Sequence, residues 1–173
     1  MIEVEIKSPI DDPDEIRRRL TGFGATFLSK AKQVDIYYNA PHRDFAKTDE
    51  ALRIRVGEDV TLTYKGPKLD SLSKTREEIC ISFGDADQAT AMLKALDFKE
   101  VATVVKVRET YRLNDLIISI DDVCDLGMFI EIESMSGADY RSALGRVFEM
   151  LNRLGLKKEN TIRESYLELI LRR

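Results

Sequence analysis

The sequence predicts an α+β protein, an antiparallel sheet with helices on its outside. Three observations carry this. Roughly eight segments alternate apolar and polar residues as strands do, against three or four with helical periodicity. Several strands follow one another across a short turn, which suits antiparallel pairing. Strands and helices do not alternate regularly, as a parallel sheet would require. Across 173 residues, 43% hydrophobic and 34% charged, no linker or low-complexity stretch divides the chain. A single domain over 1–173 with a sizeable core is expected.

Ile2 to Lys7 is the first strand, with Ile2, Val4 and Ile6 on one face and Glu3, Glu5 and Lys7 on the other. Asp12 then caps a helix: Pro13 suits its first position, Glu15 occupies the capping-box position, and Gly22 and Gly24 end it. An extended segment from Thr26 to Tyr38 closes in a turn at Pro41. Ala51 to Val56 and Val60 to Lys65 form a hairpin across Gly57-Glu58-Asp59. After the break at Gly66-Pro67, Lys74 to Ser82 is a further strand. A helix starting at Asp85 places Ala89, Met92, Leu93 and Leu96 on one face.

In the second half, Val101 to Arg112 sets Val105 and Val107 against Lys106 and Arg108. Leu116 to Asp121 and Phe129 to Glu133 flank a turn at Asp125-Leu126-Gly127. Asp139 is the expected cap of a third helix that turns Leu144, Val147, Phe148, Leu151 and Leu154 inward and ends before Gly155. The tail from Arg163 to Arg173 suits a short helix, with an extended segment as the alternative. A weak repeat runs through the chain: a glutamate-bearing strand leads into a helix from Glu3 to Gly22, Glu77 to Leu96 and Glu131 to Leu154.

Composition excludes much chemistry. With 27 Lys and Arg against 31 Asp and Glu, the net charge is −4, which argues against binding a nucleic acid duplex through its backbone. No apolar run is long enough to cross a bilayer, and the first residues lack a signal-peptide pattern, so a cytoplasmic protein without a membrane partner is expected. Cys80 and Cys124 form no C-x-x-C pair and read as reduced thiols; with His42 they are too few for a zinc site. His42 lies in a turn and reads as a surface loop histidine, not a triad member. Neither standard glycine-rich phosphate loop is present. Any metal must be held by carboxylates, which favours Mg²⁺ or Mn²⁺.

On any one strand, a charged face reads as solvated surface. Together these faces carry Glu3, Glu5, Lys7, Arg53, Arg55, Lys65, Lys106, Arg108, Asp121, Glu131 and Glu133, residue types that strands disfavour. A sheet curled with this face inward would gather carboxylates and cations around one cavity, complementary to a polyphosphate with a divalent metal. Closure would also remove the sheet's edges.

Glu3-Val4-Glu5-Ile6-Lys7 resembles the E-x-E-x-K signature of the CYTH superfamily, the triphosphate tunnel metalloenzymes. Asp35-Ile36-Tyr37-Tyr38, Leu52-Arg53-Ile54-Arg55, Thr63-Tyr64-Lys65-Gly66-Pro67, Arg76-Glu77-Glu78 and Lys106-Val107-Arg108 resemble further family segments in order. Ser119-Ile120-Asp121 with Leu126 to Glu133 resembles its D…L-G-x-F-x-E-I-E block, so the likeness spans nearly the whole chain.

The resemblance implies a closed eight-stranded antiparallel β-barrel with flanking helices and one or two Mg²⁺ or Mn²⁺ ions. It implies Glu3, Glu5, Asp121, Glu131 and Glu133 as metal carboxylates, with Glu5 and Glu131 foremost. Lys7, Arg53, Arg55, Lys65, Arg76, Lys106 and Arg108 would bind phosphates, Glu78 would orient a basic neighbour, and Lys7, Glu5 and Glu131 would be catalytic. Outer members such as Arg76 and Glu78 can also be read as structural ion pairs. The Asp121–Glu133 block and the tail Arg163-Glu164-Ser165-Tyr166-Leu167-Glu168-Leu169 look most like the class IV adenylyl cyclase branch, which converts ATP to cyclic AMP and pyrophosphate. The alternatives are a triphosphatase acting on tripolyphosphate, thiamine triphosphate or a nucleoside triphosphate, and a non-catalytic triphosphate-binding protein. The partner is thus a small triphosphate such as ATP or tripolyphosphate; a homodimer is compatible with the sequence.

Overall fold

The computed structural model describes residues 2–69, 71–136 and 140–173. In chain order these form β1 (Ile2–Pro9), α1 (Pro13–Gly22), β2 (Thr26–Asn39), α2 (Phe45–Thr48), β3 (Ala51–Val56), β4 (Val60–Lys65) and β5 (Arg76–Phe83). There follow α3 (Ala86–Ala95), β6 (Lys99–Leu113), β7 (Leu116–Val123), β8 (Gly127–Ser136), α4 (Tyr140–Arg153), a 3₁₀ turn (Lys158–Asn160) and α5 (Tyr166–Leu171). The strands close into an eight-stranded antiparallel barrel in the order β1-β5-β4-β3-β2-β6-β7-β8.

Local chemistry explains the boundaries. The Asp12 side chain accepts from Glu15 N–H at 3.0 Å at the start of α1, and Gly24, at φ 79°, takes the left-handed turn into β2. Asp85 caps α3 through Asp87 and Gln88 N–H. Ser165 and Glu168 form a reciprocal capping box on α5, so the tail is a helix. The expected cap at Asp139 lies outside the described residues.

Because side chains alternate across each strand, closure sends the two faces to opposite fates. Outside, Val4, Ile6, Ile118, Ile120, Ile130 and Ile132 pack under α4, which contributes Ala143, Val147, Met150 and Leu151, with Leu154 just beyond its end, while α1 adds Ile16 and Leu20. A second apolar cluster sets Ala89 and Leu93 of α3 against Leu52 and Ile54 of β3. A third joins Tyr166 of α5 to Tyr37, Val104 and Phe129.

Several expectations need correction. Met92 and Leu96 are exposed (49% and 58%), so the buried stripe of α3 narrows to Ala89 and Leu93: a ten-residue helix resting mainly on one strand buries only its central i,i+4 pair. Leu144 and Phe148 are half-buried, and Ala143 and Met150 take the deeper positions. β5 begins at Arg76, leaving Lys74 in the preceding loop. Asp44 caps a short helix, α2, after the expected turn. The weak repeat holds as a pattern, β1 leading into α1, β5 into α3 and β8 into α4, with Asp12 and Asp85 capping the first two helices, although Glu77 faces solvent while Glu3 and Glu131 are buried. Cys80 and Cys124 are free and exposed, and His42 is exposed in its loop.

Candidate functional site

The strand registers build the site. Around the barrel they set Glu3 beside Arg76, Glu5 beside Glu133, Lys7 beside Glu131, Arg108 beside Asp121, Asp35 beside Arg55, and Lys65 beside Glu78. All these side chains share the inner face. Several of them, and their neighbour Lys106, are among the most buried groups of the protein: Lys7 is 1% exposed, Glu5 3%, Lys106 2% and Asp121 0%. Apolar Val107, by contrast, is 36% exposed on the outer face of β6. The interior is a cavity of about 280 Å³ lined by Glu3, Glu5, Lys7, Arg53, Arg55, Lys65, Lys74, Arg76, Lys106, Arg108, Glu131 and Glu133. Of the residues singled out from sequence, Asp121 lies just behind this lining, bonded to Arg108.

The charges interlock. Arg108 donates to both Asp121 oxygens, 2.7 Å from Nε and 2.5 Å from Nη2, and also bonds Glu131. Lys7 Nζ lies 3.3 Å from Glu131 and 3.5 Å from the Tyr166 ring centroid. Lys65 Nζ bonds Glu3 at 2.5 Å and reaches Glu78 at 2.9 Å. Asp35 accepts from Arg55 at 2.6 and 2.8 Å, with Arg53 and Lys106 each 3.6 Å away.

Burial and neighbouring charge set the proton affinities. Burial, reinforced by Lys74, pushes Lys7 down to about 7 against the opposing pull of Glu131. Burial and Arg108 bring Lys106 down to about 8. Burial would raise Glu131, but Arg108, Lys7 and Lys74 hold it well below the usual carboxylate range. Glu133 goes the other way, up to about 7, through burial and the charge of Glu3.

Three site residues escaped the sequence reading. Lys74 bonds Glu5 and lies 3.8 Å from Glu131. It sits in a loop, where alternation gives no handle. Asp35, fully buried, was visible: it is in phase with Tyr37 on an extended segment and faces Arg55 across the β2–β3 register. Tyr166 also enters the site, its hydroxyl donating to Asp121 at 2.8 Å.

The donor set suits a hard divalent cation, since it offers carboxylate oxygens. Glu133 stands across from Glu5 and makes no ion pair among the described residues, so a bound cation would offset the burial and the like charges of Glu3 and Glu5 that raise it. The described residues hold no ready cluster of three or more such ligands. The structure does bring Asp121 and Glu131 together, on the Arg108 guanidinium.

The CYTH domain model matches residues 1–166. A "Putative adenylate cyclase" of Methanocaldococcus jannaschii is 47% identical over 98% of both chains. "Adenylate cyclase CyaB" of Aeromonas hydrophila is 26% identical, over 95% of this chain and 86% of that one. Among solved structures, the PH1819 protein of Pyrococcus horikoshii superposes with a TM-score of 0.90 at 42% identity, covering 98% of each chain. A Hippeastrum adenylyl cyclase homologue, described as having a dominant triphosphatase activity, shares the fold at TM-score 0.67 and 18% identity, over 98% of this chain and 94% of that one.

Proposed function

This chain belongs to the CYTH domain family, and we propose that it is a metal-dependent enzyme that converts ATP to cyclic AMP and pyrophosphate. The observation that carries the reading is the enclosed cavity in which Lys7, Arg53, Arg55, Lys65, Lys106 and Arg108 converge beside Glu3, Glu5, Glu131 and Glu133. A phosphate chain matches such a set: guanidinium groups take its oxygens in pairs, and ammonium groups act as point charges. Arg53, Arg55 and Lys106 already surround the single buried carboxylate Asp35, so their combined charge exceeds what that partner neutralises.

The carboxylates that would hold a Mg²⁺ or Mn²⁺ ion are drawn from Glu3, Glu5, Asp121, Glu131 and Glu133. When bound, the ion neutralises phosphate charge and polarises a phosphoryl oxygen. The chain's own residues do the rest. The basic groups bind and straighten the triphosphate and stabilise charge developing around the α-phosphorus as the ribose 3′-hydroxyl oxygen attacks and pyrophosphate leaves, the hydroxyl proton ending on the departing pyrophosphate. Lys7, fixed between Glu131 and the Tyr166 ring, orients the catalytic carboxylate. Arg76 and Glu78 serve the outer end of the site. α5 places Tyr166 in the cavity wall and limits water entry on its side.

Relatives named as adenylate cyclases support cyclisation. Hydrolysis of a triphosphate is the second reading, favoured by the triphosphatase activity of the Hippeastrum homologue in the same fold. Chromatography of products formed from ATP with Mg²⁺ or Mn²⁺ tests both. Cyclic AMP with pyrophosphate is expected; ADP with phosphate would replace the cyclase by the hydrolase. No turnover of ATP, thiamine triphosphate or tripolyphosphate would leave only triphosphate binding.

A further inference from the structure

Glu5 and Glu131, the foremost expected metal carboxylates, are already held by cations. Lys65 Nζ lies 3.8 Å from Glu5, Lys7 Nζ lies 3.3 Å from Glu131, and Arg108 bonds Glu131 while it grips Asp121. These three cations stand on strands. Lys74 is different. Among the described residues it alone pairs with both carboxylates: its Nζ bonds Glu5 Oε1 and lies 3.8 Å from Glu131 Oε1. It comes from the loop before β5, where its backbone N–H donates to Glu5 O at 2.9 Å and Arg163 Nε donates to Ser73 O at 3.3 Å. The main chain is thus tied down beside Glu5, while the flexible stem can carry the ammonium along the cavity that Lys74 lines.

We propose that the Lys74 ammonium is a resident counter-ion of the metal site, which a divalent cation must displace from between Glu5 and Glu131 and which then turns to the phosphate chain. This rests on the reading of Glu5 and Glu131 as metal carboxylates. A divalent ion needs the oxygen lone pairs that Lys74 takes. The second oxygen of Glu5 offers no way round. A metal there would face Lys65 and Lys74 across a single carboxylate, in an interior where like charges repel far more strongly than in water. The displaced ammonium belongs to a side chain that is itself buried, so it cannot stay unpaired without cost. A phosphate oxygen in the cavity supplies its new partner. Metal and triphosphate therefore each bind better when the other is present, a coupling that is necessarily reciprocal.

Mn²⁺ alone tests this without turnover. It is titrated into the metal-stripped full chain in phosphate-free buffer and followed by the paramagnetic resonance signal of the unbound ion. Lys74→Met should bind Mn²⁺ at least about tenfold more tightly than wild type, the scale of one charged contact. Arg53→Met removes a positive charge from the same cavity without pairing with either carboxylate, and should gain far less. Lys74→Gln loses the charge but keeps a donor for Glu5; it gives the same reading if circular dichroism shows that the methionine variant does not fold. Adding Glu5→Gln to either Lys74 variant should abolish the gain. Mn²⁺ binding that survives Glu5→Gln unchanged would overturn the metal reading itself and the proposal with it. If Glu5→Gln removes binding, yet the Lys74 variants bind no tighter than wild type or than Arg53→Met, the exchange is overturned and the metal site stands.

Discussion

A charged side chain buried beside opposite charges holds its partners in place as firmly as they hold it, and Lys74 does this for Glu5 and Glu131. Its ammonium is one of the cations a triphosphate would meet. Losing one charged contact of this kind costs about 1.5–3 kcal/mol, so Lys74→Met should lower kcat/KM roughly tenfold to a hundredfold in steady-state assays. Glu5→Gln and Glu131→Gln should each lower kcat at least about a hundredfold; near-normal turnover in both would remove them from the catalytic set. A different residue reports on stability. Glu109, on the outer side of the barrel wall, accepts from Arg17 at 2.8 and 3.1 Å and lies 2.9 Å from Lys30 Nζ. The Arg17 hydrogen bonds are the main reason its carboxyl is held down to about 2. An unfolded glutamate titrates near about 4.3. The folded value is the lower one, so this stabilisation is complete above the unfolded value and is lost as pH falls from about 5 toward 2. Melting curves of wild type and Glu109→Gln should therefore differ at pH 7, draw together as the pH falls through 4 and 3, and converge only toward pH 2.

At the scale of elements, α4 shows how an amphipathic helix builds the outer core: Val147, Met150 and Leu151 are each 2% exposed or less and pack over β1 and β8. Leu151→Ala should cost about 2–5 kcal/mol by denaturant titration, the range for a buried leucine whose site relaxes only in part. A loss below about 1 kcal/mol would mean that α4 packs more loosely than its burial indicates. The strands were legible because a period of two survives in sequence whichever face is buried. Glu3, Glu5 and Lys7 were visible as one face of β1, and Lys106 and Arg108 as one face of β6. Which face is inside was not legible from any single strand. The hydrophobic rule alone would have put Val107 inside and Lys106 outside, the reverse of what is found. Lys74 and the extent of α3 burial were illegible for a related reason, since loop position and helix seating depend on elements distant in sequence.

For the whole molecule, closure concentrates charges of both signs around one cavity, which a complementary triphosphate with its metal ion would pair further. A ligand that binds only the folded protein stabilises it by RT ln(1 + [L]/Kd), about 2.7 kcal/mol at a hundredfold excess over Kd. Tripolyphosphate with Mg²⁺ should raise Tm by several degrees, and orthophosphate, which reaches fewer of Lys7, Arg53, Arg55, Lys65, Lys106 and Arg108, by much less. The difference should survive about 0.15 M salt, because screening over roughly 8 Å acts on exposed charges far more than on enclosed ones. Equal shifts for the two anions, both abolished by salt, would indicate a solvated charged face in place of a selective cavity.

The sequence by itself determined the strands, the capped helices and the order of the charged motifs, because alternation, capping and turn chemistry act over a few residues. The resemblance carried by those motifs, Glu3 to Lys7 foremost, supplied the closed barrel and its inward charges. Only the tertiary structure decided which partner each charge takes. Arg108 joins Asp121 to Glu131, Lys65 takes Glu3, and Lys74 reaches Glu5 from a loop. These pairings, between residues up to 69 positions apart in sequence, are set by strand register and barrel closure. The same closure makes β5 a wall of the cavity, where Arg76 and Glu78 line it.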